Sequence, residues 1–282
     1  MRYYAVTPES FGQLGVFGRQ IQKCTPDRID LKVEFVRPYC VAYLDQTMLT
    51  ESRARSINLT STYKKVNRYL RQINFEHLAP RALLAKPFPQ QDIIKIVRFN
   101  GAPLQVEAKV VSWLTETVKP FLPKQSPTLW KRVVENFWEI THNGIQHGGG
   151  SFGISACSQF YPMMGYFEVA FYDRGNGIPK LVRAFGAVKN SSPDCACIEW
   201  AAQKGNSTLP TGTSAGLGLH LLREFLKLNR GSIQIVSGDG YFGQDGYGQS
   251  TYLSLRNPIA GTLVNIRVVF DDDLYQLEGE DE

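Results

Sequence analysis

Residues 126–150 read SPTLWKRVVENFWEITHNGIQHGGG, and this stretch predicts a long helix that carries several candidate site residues. Serine followed by proline is typical of a helix start, and the three glycines end the helix. Four polar residues spaced four apart form one stripe on this predicted helix: Glu135, Glu139, Asn143 and His147. Carboxylate and amide oxygens one turn apart suit Mg²⁺, and a carboxylate can equally serve as general base. A solvated helix face remains the simpler explanation of the stripe taken alone.

Two glycine-rich segments follow this helix. Residues 173–179 (DRGNGIP) come directly after the apolar strand FEVAFY. Their glycines let a ligand approach the backbone, and an acid at a strand end can accept a hydrogen bond from an exocyclic amine. Residues 212–220 (GTSAGLGLH) run into a predicted helix, whose free N–H groups favour phosphate. Taken singly, a tight surface turn and a flexible glycine hinge are the alternatives.

The order of these motifs resembles the GHKL superfamily, which includes the ATP-binding domains of histidine kinases, anti-sigma-factor serine kinases, gyrase B, Hsp90 and MutL. Along the chain come Glu-x-x-x-Asn on a helix, Asp-x-Gly-x-Gly after a strand, Gly-Leu-Gly before a helix, and Gly261-Thr262. The resemblance covers about residues 104–270. It implies an α/β sandwich with helices on one face of a mixed sheet, and ATP held between the helices and a mobile lid at about residues 180–215.

The resemblance also implies roles for individual residues. Glu139 matches the general base of the family, and Asn143 matches its Mg²⁺ ligand. Asp173 matches the residue that contacts the adenine amino group. The other expected nucleotide contacts are the base-pocket glycines Gly175 and Gly177, the phosphate-side residues His147, Thr213, Ser214, Gly216, Leu217 and Gly218, and Thr262, which backs the adenine through a water.

Two positions depart from the family pattern. Ser214 stands where the family often has the first glycine of Gly-x-Gly, and Gln146 stands where many histidine kinases have lysine or arginine near the phosphates. Stabilisation of the γ-phosphate charge is therefore weaker or comes from elsewhere, with Lys204 and Arg174 as candidates.

The first 90 residues alternate short apolar strands with helical stretches, which favours a small α/β domain. Residues 33–41 (VEFVRPYCV) are similar to the strand and turn of STAS domains, the fold of anti-sigma-factor antagonists. The serine phosphorylated in that family would fall at Tyr39 or Cys40, so the same switch is not expected here. Three prolines between residues 80 and 89 indicate a boundary. The predicted organisation is a STAS-like domain over 1–90, an ATP-binding domain over 91–275 and an acidic tail over 276–282.

Composition limits the partners and the compartment. The 282 residues include 31 Lys or Arg and 26 Asp or Glu, and the resulting net charge of +5 is too small to argue for nucleic acid. Apolar runs stay far below the ~18 residues of a transmembrane helix, and the N-terminus lacks signal-peptide features. Five scattered cysteines do not form a disulfide framework. We therefore expect a cytoplasmic protein with no membrane partner.

Several functions stay open. No predicted helix ahead of the ATP-binding region carries a phosphoacceptor histidine, which disfavours a self-phosphorylating sensor. The leading expectation is a protein that binds ATP or ADP with Mg²⁺ and acts as a serine/threonine kinase or an ATPase switch in bacterial regulation. The alternative is a nucleotide-dependent interaction module with little turnover, for example in a defence or stress-response complex. A protein partner is expected at the N-terminal domain, and a homodimer is an open option.

Overall fold

The computed structural model describes residues 8–23, 28–33, 35–51, 58–77, 96–119, 127–148, 153–208 and 218–269. They form an α/β fold with two sheets. The N-terminal elements, in chain order, are α1 (Pro8–Lys23), β1 (Arg28–Leu31), α2 (Pro38–Glu51), β2 (Asn58–Ser61) and α3 (Lys64–Gln72). β1 and β2 pair in parallel, so that α2 is the crossover helix of a β-α-β unit.

A second set of elements builds the larger sheet and its helices. They are β3 (Val97–Phe99), α4 (Pro103–Thr117), α5 (Pro127–Gly148), β4 (Ile154–Tyr161), β5 (Tyr166–Asp173), α6 (Ile178–Phe185), α7 (Asp194–Ala201), α8 (Gly218–Leu228), β6 (Ser232–Gln244) and β7 (Ser250–Val269). The helix predicted from residues 126–150 is therefore present as α5. No helix within the described ranges is long and apolar enough to cross a bilayer.

The larger sheet has the order β3-β4-β5-β7-β6, and all four neighbouring pairs are antiparallel. The mixed sheet expected from the sequence is therefore corrected for this part of the chain. The reason is local: a short turn, Pro162–Met164 and Gly165, joins β4 to β5, and a five-residue connection joins β6 to β7. Connections this short can join only antiparallel neighbours.

Both faces of this sheet are covered, which gives three layers. One core lies between the sheet and the helices α4, α5 and α8, and it includes Phe137 and Phe171. The other lies between the sheet and the N-terminal elements, and it includes Tyr43 and Tyr172. All eight residues of β5 are buried, as expected of a strand that packs on both sides. The boundary predicted between residues 80 and 89 falls outside the described residues.

Helix α1 was not predicted, because its three glycines are poor helix formers. The structure gives two of them a packing role. A Cβ atom at Gly15 would lie 2.7 Å from the Asn257 carbonyl oxygen of β7, and one at Gly18 would overlap the Tyr43 hydroxyl of α2. These glycines therefore allow α1 to approach both β7 and α2 closely.

Candidate functional site

A cavity of about 240 Å³ is lined by α5, by the C-terminal end of β5 and the middle of β7, by α6 and α7, and by the start of α8. Six of the residues singled out from the sequence line it: Glu139, Asn143, Asp173, Gly177, Gly218 and Thr262. Four separate motifs, more than 120 positions apart at the extremes, thus meet at one place. Apolar side chains of the sheet, among them Phe171, Ile235 and Val264, form the floor.

Asp173 is the last residue of β5 and stands directly opposite Thr262 of β7. Its side chain is only 7% exposed. Burial raises the pKa of the Asp173 carboxyl to about 7, although hydrogen bonds from the backbone N–H groups of Gly175 and Thr262 act in the opposite direction. No cation from the described part of the chain stands beside this carboxylate, and the apolar cavity shields it from water. It is therefore well suited to accept hydrogen bonds from a ligand.

The turn after β5 keeps this carboxylate in place. The Gly175 amide donates to Asp173 Oδ1 at 3.0 Å, so Gly175 acts through its backbone and does not itself line the cavity. Gly177 has φ of 76°, a left-handed conformation that glycine adopts readily. Gly261 has φ of 75°, and a Cβ atom there would overlap the Asp173 carbonyl oxygen. The glycine pair Gly177 and Gly261 thus permits the close packing of this turn against β7.

Ser237 of β6 joins the pieces of this turn, and the sequence analysis missed it. Its hydroxyl donates to the Gly261 carbonyl at 2.8 Å and accepts from the Ile178 amide at 2.9 Å. It also lies 3.2 Å from the Thr262 hydroxyl. The only local signal was the run SGDG, whose glycines fit the register shift that the strand makes there.

The other end of the cavity is formed by α5 and the start of α8. The Asn143 side-chain amide donates to Glu139 Oε1 at 3.2 Å, as expected for residues one turn apart. Gly218, the first residue of α8, lies against the Glu139 side chain so closely that a Cβ atom would overlap it. A carboxylate, an amide oxygen and the N-terminal end of a helix therefore meet within one small region.

This donor set fits Mg²⁺ that arrives with phosphates. Mg²⁺ commonly takes one or two protein oxygens and completes its shell with water and phosphate oxygens. Because Asn143 uses its nitrogen toward Glu139, its Oδ1 is the atom that remains for a cation. No cluster of three or more His, Cys, Asp or Glu residues that could hold a metal occurs in the described part of the chain, so a site built from protein ligands alone is not indicated there.

Several predicted contacts lie elsewhere or outside the described residues. Thr213, Ser214, Gly216 and Leu217 belong to residues 209–217, and the side chain of His147 is likewise outside the described set. Arg174 turns away from the cavity and pairs with Glu51 of α2 at 2.9 Å. Lys204 is exposed and is not a lining residue, whereas Gln146 is one.

The described part of the predicted lid is anchored to the hairpin of β6 and β7. Arg183 of α6 donates to Asp194 Oδ1 at the start of α7, and the Asp239 amide of β6 donates to Asp194 Oδ2. A Cβ atom at Gly240 would lie 2.7 Å from the Cys195 amide nitrogen. A mobile lid over residues 180–215 stays a prediction, and its movement as one unit would have to break these contacts.

No protein-family model matches this chain, and no curated protein matches it at a significant level.

The raised pKa of Asp173 predicts that binding of an amine-bearing ligand depends on pH. An amine donor requires the ionised carboxylate, so we expect the affinity for an amine-bearing ligand, with ADP as the probe, to fall as the pH drops from 8 to 6, by at most about tenfold per pH unit below 7. Calorimetry across this range measures the effect. In Asp173→Asn the contribution of this carboxyl is removed, so the slope should be shallower than in the parent chain. Parallel slopes in both proteins would contradict the prediction.

Proposed function

We propose that this chain is a GHKL-type protein that binds ATP with Mg²⁺ in the cavity described above. The observation that carries the proposal is the buried Asp173 carboxylate at one end of an apolar cavity whose other end holds Glu139, Asn143 and the start of α8. The end with Asp173 suits a flat apolar ring that carries an exocyclic amine. The end with Glu139 and Asn143 suits a triphosphate with its cation.

The adenine would occupy the end formed by β5 and β7. Its amino group donates to Asp173, and Thr262 supplies a hydroxyl beside it, already held by Ser237. Apolar side chains such as Phe171 and Val264 pack against the ring. Because the hydrogen bonds that the Asp173 carboxylate accepts from the described residues come from backbone N–H groups, an amine there gains a strong charge-assisted bond.

The phosphates would lie toward α5 and α8. The free N–H groups at the start of α8 favour negative charge, and Asn143 offers an oxygen to the cation that accompanies the phosphates. When bound, Mg²⁺ would neutralise phosphate charge. Glu139 is then placed to accept the proton of an attacking water or hydroxyl, which makes either an ATPase switch or a serine/threonine kinase chemically feasible.

A specific observation favours a second candidate, a nucleotide-dependent interaction module with little turnover. The described residues that line the cavity include no lysine and no arginine. Arg174, a candidate for γ-phosphate stabilisation, is engaged by Glu51. Charge that develops on the phosphates would then be balanced by the cation and the helix start alone, which lowers the expected rate.

We further propose that residues 1–90 form a STAS-like regulatory unit and residues 91–275 the ATP-binding unit, in a bacterial cytoplasmic protein. The parallel β1-α2-β2 arrangement supports an α/β docking module, although it is shared by many folds. A protein partner at this unit would be the substrate of a kinase or the target of a switch.

One experiment separates these functions. Calorimetry with ADP and ATP tests binding, and ATP labelled at the γ-phosphate then follows the label in the presence of candidate partner proteins. Label on a partner identifies a kinase, label in solution identifies an ATPase, and label that stays on ATP identifies the interaction module. Absence of nucleotide binding would refute the proposal itself.

The role of Asn143 gives a prediction that concerns Mg²⁺ alone. Asn143→Ala removes the amide oxygen, so we expect affinity for ATP with Mg²⁺ to fall by about 10-fold or more, while affinity for ATP in EDTA changes by less than about threefold. Calorimetry with and without metal measures both values. Equal losses under the two conditions would mean that Asn143 shapes α5 and does not bind the cation.

A further inference from the structure

Strand β5 presents neighbouring side chains to opposite layers of the molecule. Asp173 faces the cavity, whereas Tyr172 before it and Arg174 after it face the N-terminal layer. The ring of Tyr172 lies 4.9 Å from the ring of Tyr43 in α2, measured between centroids. Asp173, the residue proposed to hold the adenine, therefore lies between two residues that contact α2. Tyr172 packs on Tyr43, and Arg174 pairs with Glu51 at the end of the helix.

The contact after Asp173 is a shielded ion pair. Arg174 donates to Glu51 Oε1 at 2.9 Å, and the two side chains are 15% and 24% exposed. Glu51 is the last residue of α2, where the helix dipole disfavours a negative charge. The Glu51 carboxylate therefore does not stabilise α2, and the positive charge of Arg174 compensates it.

Helix α2, which carries Glu51, is packed tightly into the protein. Ten of the fourteen residues of α2 are buried. The same helix is fixed to the sheet at another point, where Asp45 accepts from Arg98 and from Ser155 of β4. Tyr172 in turn donates through its hydroxyl to the Ala260 carbonyl at 2.6 Å, immediately before Gly261-Thr262. Tyr172, which packs on Tyr43 of α2, therefore also holds the backbone that leads into Gly261-Thr262.

We propose that Glu51 and Arg174 are positioning residues, which hold the turn at residues 173–177 in the geometry that receives the nucleotide base. The inference rests on the proposed function in one respect, the identity of the ligand. It makes the N-terminal layer part of the nucleotide site, although none of its described residues lines the cavity.

The variant Glu51→Gln separates positioning from simple electrostatics, because the two predict opposite signs. If the pair acted only through charge, removal of the Glu51 charge would leave Arg174 unpaired, favour ionised Asp173 and tighten binding of an amine donor. If the pair positions the turn, the same variant loosens it and weakens binding. We expect about 3- to 10-fold weaker binding of ADP.

The experiment measures two quantities in the full chain. Hydrogen exchange at residues 173–177 is followed without nucleotide, and ADP affinity is followed by calorimetry. Both Glu51→Gln and Arg174→Gln should accelerate exchange at the turn by about 5-fold or more, and the double variant should be no worse than the singles because the pair acts as a unit. Arg174→Lys, which keeps a charge for Glu51, should recover most of the affinity.

A stability control guards against a general effect. Val66→Ala makes a cavity in the N-terminal core at α3, so it lowers stability without touching the turn. It should leave exchange at 173–177 and ADP affinity unchanged. Unchanged exchange in both Glu51→Gln and Arg174→Gln would overturn the positioning role, as would tighter ADP binding by Glu51→Gln. A parent chain that binds no ADP would refute the proposed function, while the exchange measurement would still decide the role of the pair.

Discussion

Glu139→Gln should bind ATP within a few-fold of the parent chain and lose turnover by about 10²- to 10⁴-fold, the range that a general base contributes. The glutamine oxygen can still accept the hydrogen bond that Asn143 donates at 3.2 Å, so the geometry of α5 is kept. Only the ability to take a proton is removed. Release of labelled phosphate, or its transfer to a partner, measures turnover, and calorimetry measures binding.

Glu135→Ala is the matched control, because Glu135 lies one turn earlier on the same helix. Its side chain is 47% exposed and pairs only loosely with Lys131 and Arg132, at 3.8 and 3.5 Å. This variant should keep both binding and turnover. Turnover by Glu139→Gln at the parent rate would show that Glu139 is not the base. A parent chain with no turnover in the presence of candidate partners would favour the interaction module.

Asp173→Asn should weaken ADP binding by about 10- to 150-fold, because a hydrogen bond to a buried charged group contributes on the order of 1.5–3 kcal/mol. The same substitution should stabilise the empty protein at pH 8. The folded pKa of about 7 lies above the value of ~3.9 in an unfolded chain, so the folded state binds more protons between these two values. Stability of the parent chain is therefore lost as the pH rises through this window.

The expected gain for Asp173→Asn at pH 8 is on the order of 2–4 kcal/mol, and it should vanish below about pH 3, where the carboxyl is protonated in both states. Urea unfolding at the two pH values measures it. Asp30→Asn, at an exposed residue of β1, should change neither binding nor the pH dependence. If Asp173→Asn bound ADP as the parent does, Asp173 would have no place in an adenine pocket.

The parts of the site that could be predicted from sequence are those encoded locally. The spacing of Glu139 and Asn143 fixes their common helix face, and the apolar run before Asp173 fixes that residue at a strand end. A bond such as that between Ser237 and the Ile178 amide joins residues 59 positions apart, and no local pattern reveals it. The position of Asp173 at a strand end can be predicted from the neighbouring sequence, whereas its burial depends on residues distant in the chain.

The fold shows the same division. A strand such as β5, apolar on both faces, indicates that both are covered but does not say by what, so the placement of the N-terminal elements could not be predicted. α6 and α7 lie largely in the segment expected to form a lid, and long-range contacts such as those of Asp194 with β6 stabilise them. Tertiary contacts there override local preference.

The covered back face of the large sheet has a consequence for any attempt to divide this protein. Side chains such as Tyr172, Leu263 and Ile259 are buried by elements that precede residue 78. A fragment trimmed to the larger sheet and its helices would present this face to solvent, where association of copies through the exposed apolar face becomes favourable. Truncation is therefore a poor test of what the N-terminal elements do. Point substitutions at residues buried between these elements and the sheet are a better test.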